Sequence, residues 1–136
     1  MAKAILYYYI NFLNFRGRTS KRSFLLARQW VVGSKIGALV ICLCYLVANV
    51  GNDFFVAYPK AIIFYTTWWA VHIVPSISLG VRRYHDLGYK GWGYLGEKLL
   101  WYVSVFIFSD SPDRRSDPTS TEGEPQQNRY GPAPVN

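Results

Sequence analysis

Ala61 to Val81 reads AIIFYTTWWAVHIVPSISLGV, 21 residues without a formal charge and without a polar face at helical spacing. As a helix rising about 1.5 Å per residue, such a stretch covers about 31 Å, the thickness of a bilayer's hydrocarbon core. A core helix of a soluble bundle keeps a polar side, so this pattern predicts a transmembrane helix. Trp30 to Val50, WVVGSKIGALVICLCYLVANV, has the same length with one charge, Lys35, and predicts a second. Trp92 to Ser109, WGYLGEKLLWYVSVFIFS, predicts a third, weakened by Glu97 and Lys98 about two turns in.

The composition points the same way. The 136 residues, enough for a single domain, are 51% hydrophobic, 18% aromatic and 17% charged, with a net charge of +7. Soluble domains carry about 25% charged residues. The charge is uneven: residues 1–109 hold twelve basic residues against three acids, and residues 110–136 hold three against five. A basic balance suits nucleic acid or an anionic membrane, but these basic residues flank the spans, where membrane topology already needs them. Nucleic acid is therefore not an expected partner.

Counting Lys and Arg beside the spans orients the chain. Six precede Trp30 (Lys3, Arg16, Arg18, Lys21, Arg22, Arg28), Lys60 alone separates the first two spans, and Arg82, Arg83 and Lys90 follow the second. The N-terminus and the Arg82 loop are expected in the cytoplasm. With three spans the C-terminal tail is expected outside; a re-entrant or interfacial segment over 92–109 would leave it cytoplasmic instead.

The apolar stretch Ala4 to Phe15 is short and followed by Arg16-Gly17-Arg18, unlike a secretory signal. Lys3, Tyr7, Asn11, Asn14 and Arg18 form a polar stripe opposite Ile5, Tyr8, Tyr9, Phe12 and Leu13, which predicts an interfacial helix over 4–15. Arg16, Arg18, Lys21 and Arg22 would then lie among lipid headgroups. Past Ser109, five of the seven prolines punctuate a polar stretch, so 110–136 reads as a flexible tail. The expected fold is an all-α integral membrane protein: an amphipathic interfacial helix, about three transmembrane helices over 30–50, 61–81 and 92–109, and a disordered tail.

Chemistry-bearing residues are few. Arg82, Arg83, His85 and Asp86 after the second span have the types that bind a phosphate-bearing ligand, with Asp86 orienting His85. They equally fit topology charges with a helix-end ion pair. With two histidines in the chain and His72 about 20 Å from His85 along a continuous helix, no metal site is expected. No Rossmann fingerprint, phosphate loop or nucleophile elbow is present, so neither a cofactor nor a catalytic set is expected. His72 is an intramembrane candidate best explained by a bond to a neighbouring helix. Cys42 and Cys44 sit about 200° apart around a helix and read as packing residues. Gly33 and Gly37 form a GxxxG that permits close helix packing. Glu97 is expected to meet Arg82, Arg83 or Lys35, or to line a wet cavity with Lys98.

Three clusters remain: Phe15-Arg16-Gly17-Arg18-Thr19-Ser20-Lys21-Arg22; Arg82-Arg83-Tyr84-His85-Asp86-Leu87-Gly88 with Gly91-Trp92; and Asn128-Arg129-Tyr130-Gly131-Pro132 with Pro134. In order and spacing they resemble the bacterial inner-membrane family catalogued as domain of unknown function 805, over nearly the whole chain. The resemblance implies a small multi-span inner-membrane protein and assigns no activity. Ser23, Phe24 and Leu25 stand where the family usually has an acidic residue and an aromatic pair, and Glu97 and Lys98 where it tends to be apolar.

These readings favour a non-enzymatic membrane scaffold that binds anionic phospholipid headgroups or an unidentified membrane-protein partner. A homo-oligomeric channel or transporter component, lined by His72, Glu97, Lys98 and the GxxxG face, is the alternative. A membrane enzyme acting on a lipid or phosphate ester, with His85 as acid or base, ranks third.

Overall fold

The computed structural model describes residues 2–51, 54–107 and 120–134. These form five helices in chain order, α1 (Ala2–Ile10), α2 (Lys21–Ala48), α3 (Phe54–Val71), α4 (Ile73–Asp86) and α5 (Gly91–Ile107). Among the described residues no strand occurs; one isolated bridge joins Asn128 and Gly131. Two stretches, Lys21–Ala48 and Phe55–Asp86, are long and apolar enough to cross a membrane. The chain is thus all-helical with two helices of membrane-crossing character. The third expected span corresponds to α5, whose length and composition fall short of that test. The remainder of that span, the start of the tail at 110–119, and 135–136 lie outside the described residues.

Helix α2 starts nine residues before the expected Trp30, because Ser20 caps it: its side chain accepts from the Ser23 N–H. It packs most extensively on α3, forming a hairpin whose turn follows Asn49. Ala38, Cys42, Ala57 and Ala61 are buried, and the Cys42 thiol contacts the Ala61 carbonyl oxygen at 3.5 Å. Cys44 is exposed, as geometry around the helix requires. Gly33 and Gly37 are exposed as well, and a Cβ added at either would meet nothing within 4 Å. The expected GxxxG contact therefore does not form within the chain.

The expected 61–81 span is part of a longer path that breaks at His72. Pro75 has no N–H to donate to Val71, so the α-helical ladder is interrupted there. The His72 carbonyl accepts from the Ser76 N–H at 3.1 Å and also from the Tyr8 hydroxyl at 3.3 Å. Tyr9 meets His72 Nε2 at 3.0 Å and accepts from the Trp30 indole at 3.1 Å, while His72 Nδ1 lies 2.8 Å from the Trp68 carbonyl oxygen. His72 is thus bonded to a neighbouring helix, as its lone position suggested, and forms no path with Glu97.

Helix α1 wedges between α2 and α4 and is shorter than the expected 4–15. Asn side chains compete with helical hydrogen bonds: the Arg16 N–H donates to Asn14 Oδ1, and the buried Ser78 hydroxyl contacts the Asn11 and Asn14 carbonyl oxygens. The expected apolar side divides. Tyr8 joins Phe24, Ala27, Val31 and Leu79 in the core, whereas Leu6, Ile10 and Leu13 form an exposed apolar ridge.

Helix α5 packs on α4 alone and runs back along it, since Gly91 approaches Val81 and Gly80 faces the Tyr94 ring. Among the described residues the expected pairing of Glu97 does not occur. The ion pairs are Arg18–Asp86, Lys21–Glu122 and Arg83–Asp86. Lys35 instead lies over the Trp69 ring at 5.1 Å and Lys98 over Tyr94 at 5.6 Å. Glu97 is half-exposed on α5.

Candidate functional site

The end of α4 collects all three sequence clusters into one polar knot. Helix α4 ends because Gly88 takes a positive φ of 78°, which a glycine adopts freely, and the Leu87 N–H closes onto the Arg83 carbonyl. The preceding turn places Arg82, Arg83, His85 and Asp86 in the interior, each buried. Gly17, with φ 83°, turns the loop after α1 toward this turn, and the Thr19 N–H donates to the Arg82 carbonyl at 3.2 Å.

Asp86 is the centre of the knot. Arg18 Nε donates to its Oδ1 at 3.0 Å, and Arg83 Nη1 is bonded to its Oδ2. A carboxylate so deeply buried is stable only with such charged donors. The expected Asp86–His85 orientation is not found. His85 Nδ1 donates instead to the Gly17 carbonyl at 3.2 Å, and its ring stacks on Tyr130 with centroids 3.8 Å apart. Burial pushes the imidazole below its ordinary pKa, the Gly17 bond opposing and the Arg129 charge adding to the shift. The uncharged run ends at Val81, and His85 follows it by about one turn, at the polar end of the longer Phe55–Asp86 path.

Residues 120–134 strap over this knot, and there the expected flexible tail is corrected. The arginines that neutralise Asp86 also hold the strap's backbone: Arg18 Nη1 donates to the Gln126 carbonyl at 2.7 Å, Arg18 Nη2 to Glu124 O, and Arg83 Nη2 to Thr121 O. The Glu124 N–H returns a bond to the Asp86 carbonyl at 2.8 Å. Lys21 bonds Glu122 at 2.6 Å and the Ser120 carbonyl at 2.9 Å; the hydrogen bond from Lys21, aided by its charge, holds the exposed Glu122 carboxyl below its usual range. In the closing motif, Asn128 donates to the His85 carbonyl at 2.9 Å, Arg129 to the Gly88 carbonyl at 3.1 Å, and Tyr130 covers His85. Gly131, with φ 129°, completes the turn with Asn128, and Pro132 follows it. The strap thus lies at the same end of the bundle as Arg16–Arg22, where three full spans would have put it at the other.

Of the expected ligand candidates, Arg18, Lys21, Arg83, His85 and Asp86 are brought together and engaged by the fold itself. Arg16 and Arg22 remain exposed outside the knot. Arg82 is different: wholly buried, it donates Nε to the Ser78 carbonyl at 3.3 Å and stacks its guanidinium on Tyr7 at 4.8 Å, while Nη1 and Nη2 have no partner. His72 lies in the helix break, and Glu97 and Lys98 lie on α5, so these three do not share a site. Among the described residues no group of three potential metal ligands occurs.

The sequence reading named Thr19 and Ser20 within the first cluster and Ser23 just after it, but gave none of them a role. With Lys3, Ala4, Tyr7, Arg18 and Pro134 they line a cavity of about 390 Å³ between α1 and the start of α2. Ser20 ahead of an apolar run is a helix-start signal that could have located them.

Neither a curated protein nor a solved structure matches the chain. The family described as protein of unknown function (DUF805) matches residues 12–132, from the α1 turn to the end of the closing motif, and the chain belongs to that family.

Proposed function

We propose that this is a non-enzymatic integral protein of the bacterial inner membrane, whose knot is a cytoplasmic scaffold seated on anionic phospholipid headgroups. One observation carries the reading. The groups that would do chemistry, Asp86 and His85, are consumed in holding the strap, while Arg16, Arg22 and Arg28 stay exposed and belong to none of the ion pairs. The exposed apolar residues Leu6 and Ile10 on α1, with Leu13 in the turn after it, give a greasy anchor at the same end, and each basic residue near an anionic leaflet adds about 1 kcal/mol of attraction. Extraction of the full chain in polymer-bounded bilayer particles tests it. The expected result is a co-extracted lipid pool enriched in anionic phospholipid over the bulk membrane, returning to the bulk ratio when Arg16, Arg22 and Arg28 are all changed to Gln. Bulk composition around the wild-type protein would refute the reading.

A second reading, a homo-oligomeric channel or transporter component, is favoured by the open face at Gly33 and Gly37. Cys44 stands seven residues beyond Gly37, about two turns, and so on the same exposed face. Copies packed through this face would be cross-linked by mild oxidation in the membrane through Cys44, and Cys44→Ser would abolish the product. A strictly monomeric product removes this reading.

A further inference from the structure

We propose that the cavity between α1 and the start of α2 is a phosphate-oxyanion site, filled either by a lipid headgroup phosphate or by a free phosphate. It deepens the headgroup reading and rests on the same placement at the membrane surface, but on different residues. The first observation is a charge imbalance. Around the knot, Arg18, Arg82 and Arg83 are buried against the single buried carboxylate Asp86. Arg18 and Arg83 are matched to that carboxylate and to strap carbonyls, which leaves Arg82 as a wholly buried cation whose Nη1 and Nη2 have no acceptor among the described residues. A buried charge in that state is costly, and an anion placed nearby relieves it.

The second observation is independent of charge. Thr19 is 2% exposed, lines the cavity, and its Oγ1 has no hydrogen-bond partner. Tyr7 lines the same cavity and carries the Arg82 guanidinium on its ring, so the orphaned cation stands one ring behind the cavity wall.

The donors suit a group with acceptor oxygens on several sides. Lys3 offers a flexible ammonium from α1 and belongs to none of the ion pairs. Ser20 donates to Ser23 Oγ at 3.2 Å, which leaves the Ser23 proton for a ligand. The cavity abuts the first turn of the 28-residue α2, where the Lys21 and Arg22 N–H groups have no intrahelical acceptor and the helix dipole is positive. The volume of about 390 Å³ accommodates a phosphodiester with a small headgroup, and no carboxylate lines it.

The test uses the full chain in a neutral detergent. Native mass spectrometry counts phosphatidylglycerol bound per chain, and thermal unfolding is followed with inorganic phosphate against equal chloride. One tightly held phosphate-bearing adduct is expected, weakened at least tenfold in Thr19→Val and in Lys3→Gln, and retained in the Arg16, Arg22 and Arg28 triple variant. Thr19→Val removes an orphaned hydroxyl, so the ligand-free variant should unfold at or above the wild-type temperature; Lys3 is exposed and its change cannot unfold the core. Phosphatidylglycerol binding that inorganic phosphate fails to displace identifies the lipid as the source. Displacement, or stabilisation by inorganic phosphate alone, identifies free phosphate. No adduct with either probe, or adducts equally tight in both cavity variants, overturns the site. Loss of anionic enrichment at the surface with this adduct intact would sink the headgroup scaffold and leave the site standing.

Discussion

Asp86 shows what a single side chain does in this molecule. Its carboxylate neutralises Arg18 and Arg83, and through them holds the backbone of a strap far away in sequence. Asp86→Asn would leave two buried guanidinium groups against a neutral amide, a change that costs about 3–5 kcal/mol when one partner of a buried pair is lost. Denaturant unfolding in detergent should show that loss together with faster proteolysis within 120–134; an unchanged midpoint would mean that the strap holds without the carboxylate. His85 gives a pH dependence whose sign follows from burial. The folded state favours neutral imidazole, so the unfolded or undocked state binds more protons, and docking is complete above the ordinary histidine range near pH 6.5 and weakens as pH falls below it. Glu122 acts in the same direction only below its ordinary value of 4.5, because its carboxyl is held down by Lys21. The protection of 120–134 against hydrogen exchange, taken relative to the intrinsic rate at each pH, should therefore fall between pH 7 and 5.5, and His85→Gln should remove the dependence in that window. The residue types of this site were legible in the sequence. Their pairing was not, because Asp86 has its neighbour His85 in sequence but meets Arg18, 68 positions away, in space.

At the scale of elements, close approaches by glycine decide which segments can dock. A Cβ at Gly123 would fall onto the Asp86 carboxylate, and one at Gly80 into the Tyr94 ring. Gly123→Ala should therefore lift the strap while the helices stay intact: unchanged helical circular dichroism with cleavage within 120–134 accelerated several-fold. If cleavage is unaltered, the strap does not depend on this approach. Gly80→Ala should act on α5 instead, forcing it from α4 and costing about 1–3 kcal/mol, the usual range for overpacking. The long helices were readable because an uncharged 21-residue run has few alternatives in water. The strap was not, for a physical reason. Arg18 and Arg83 bind its carbonyl oxygens, which every residue carries, so its composition alone looks like that of a free tail.

For the molecule as a whole, the strap bears on where the C-terminus lies. Helix α2 leaves the knot, α3 and α4 return to it, and α5 leaves it again along α4. Ser120 is nevertheless back at the knot, bonded to Lys21. With the basic N-terminal loop in the cytoplasm, a C-terminal reporter should therefore be cytoplasmic too. A fluorescent protein fused after Asn136 is expected to be bright and alkaline phosphatase at the same position inactive, and Lys21→Glu, which weakens the strap's ion pair without changing the span count, should leave both readouts unaltered. Active phosphatase would mean that α5 crosses completely and that the strap cannot meet Arg18 and Asp86 in the membrane. The same result would undo the reading of the knot as a headgroup scaffold, because half of its residues would lie on the other side of the bilayer.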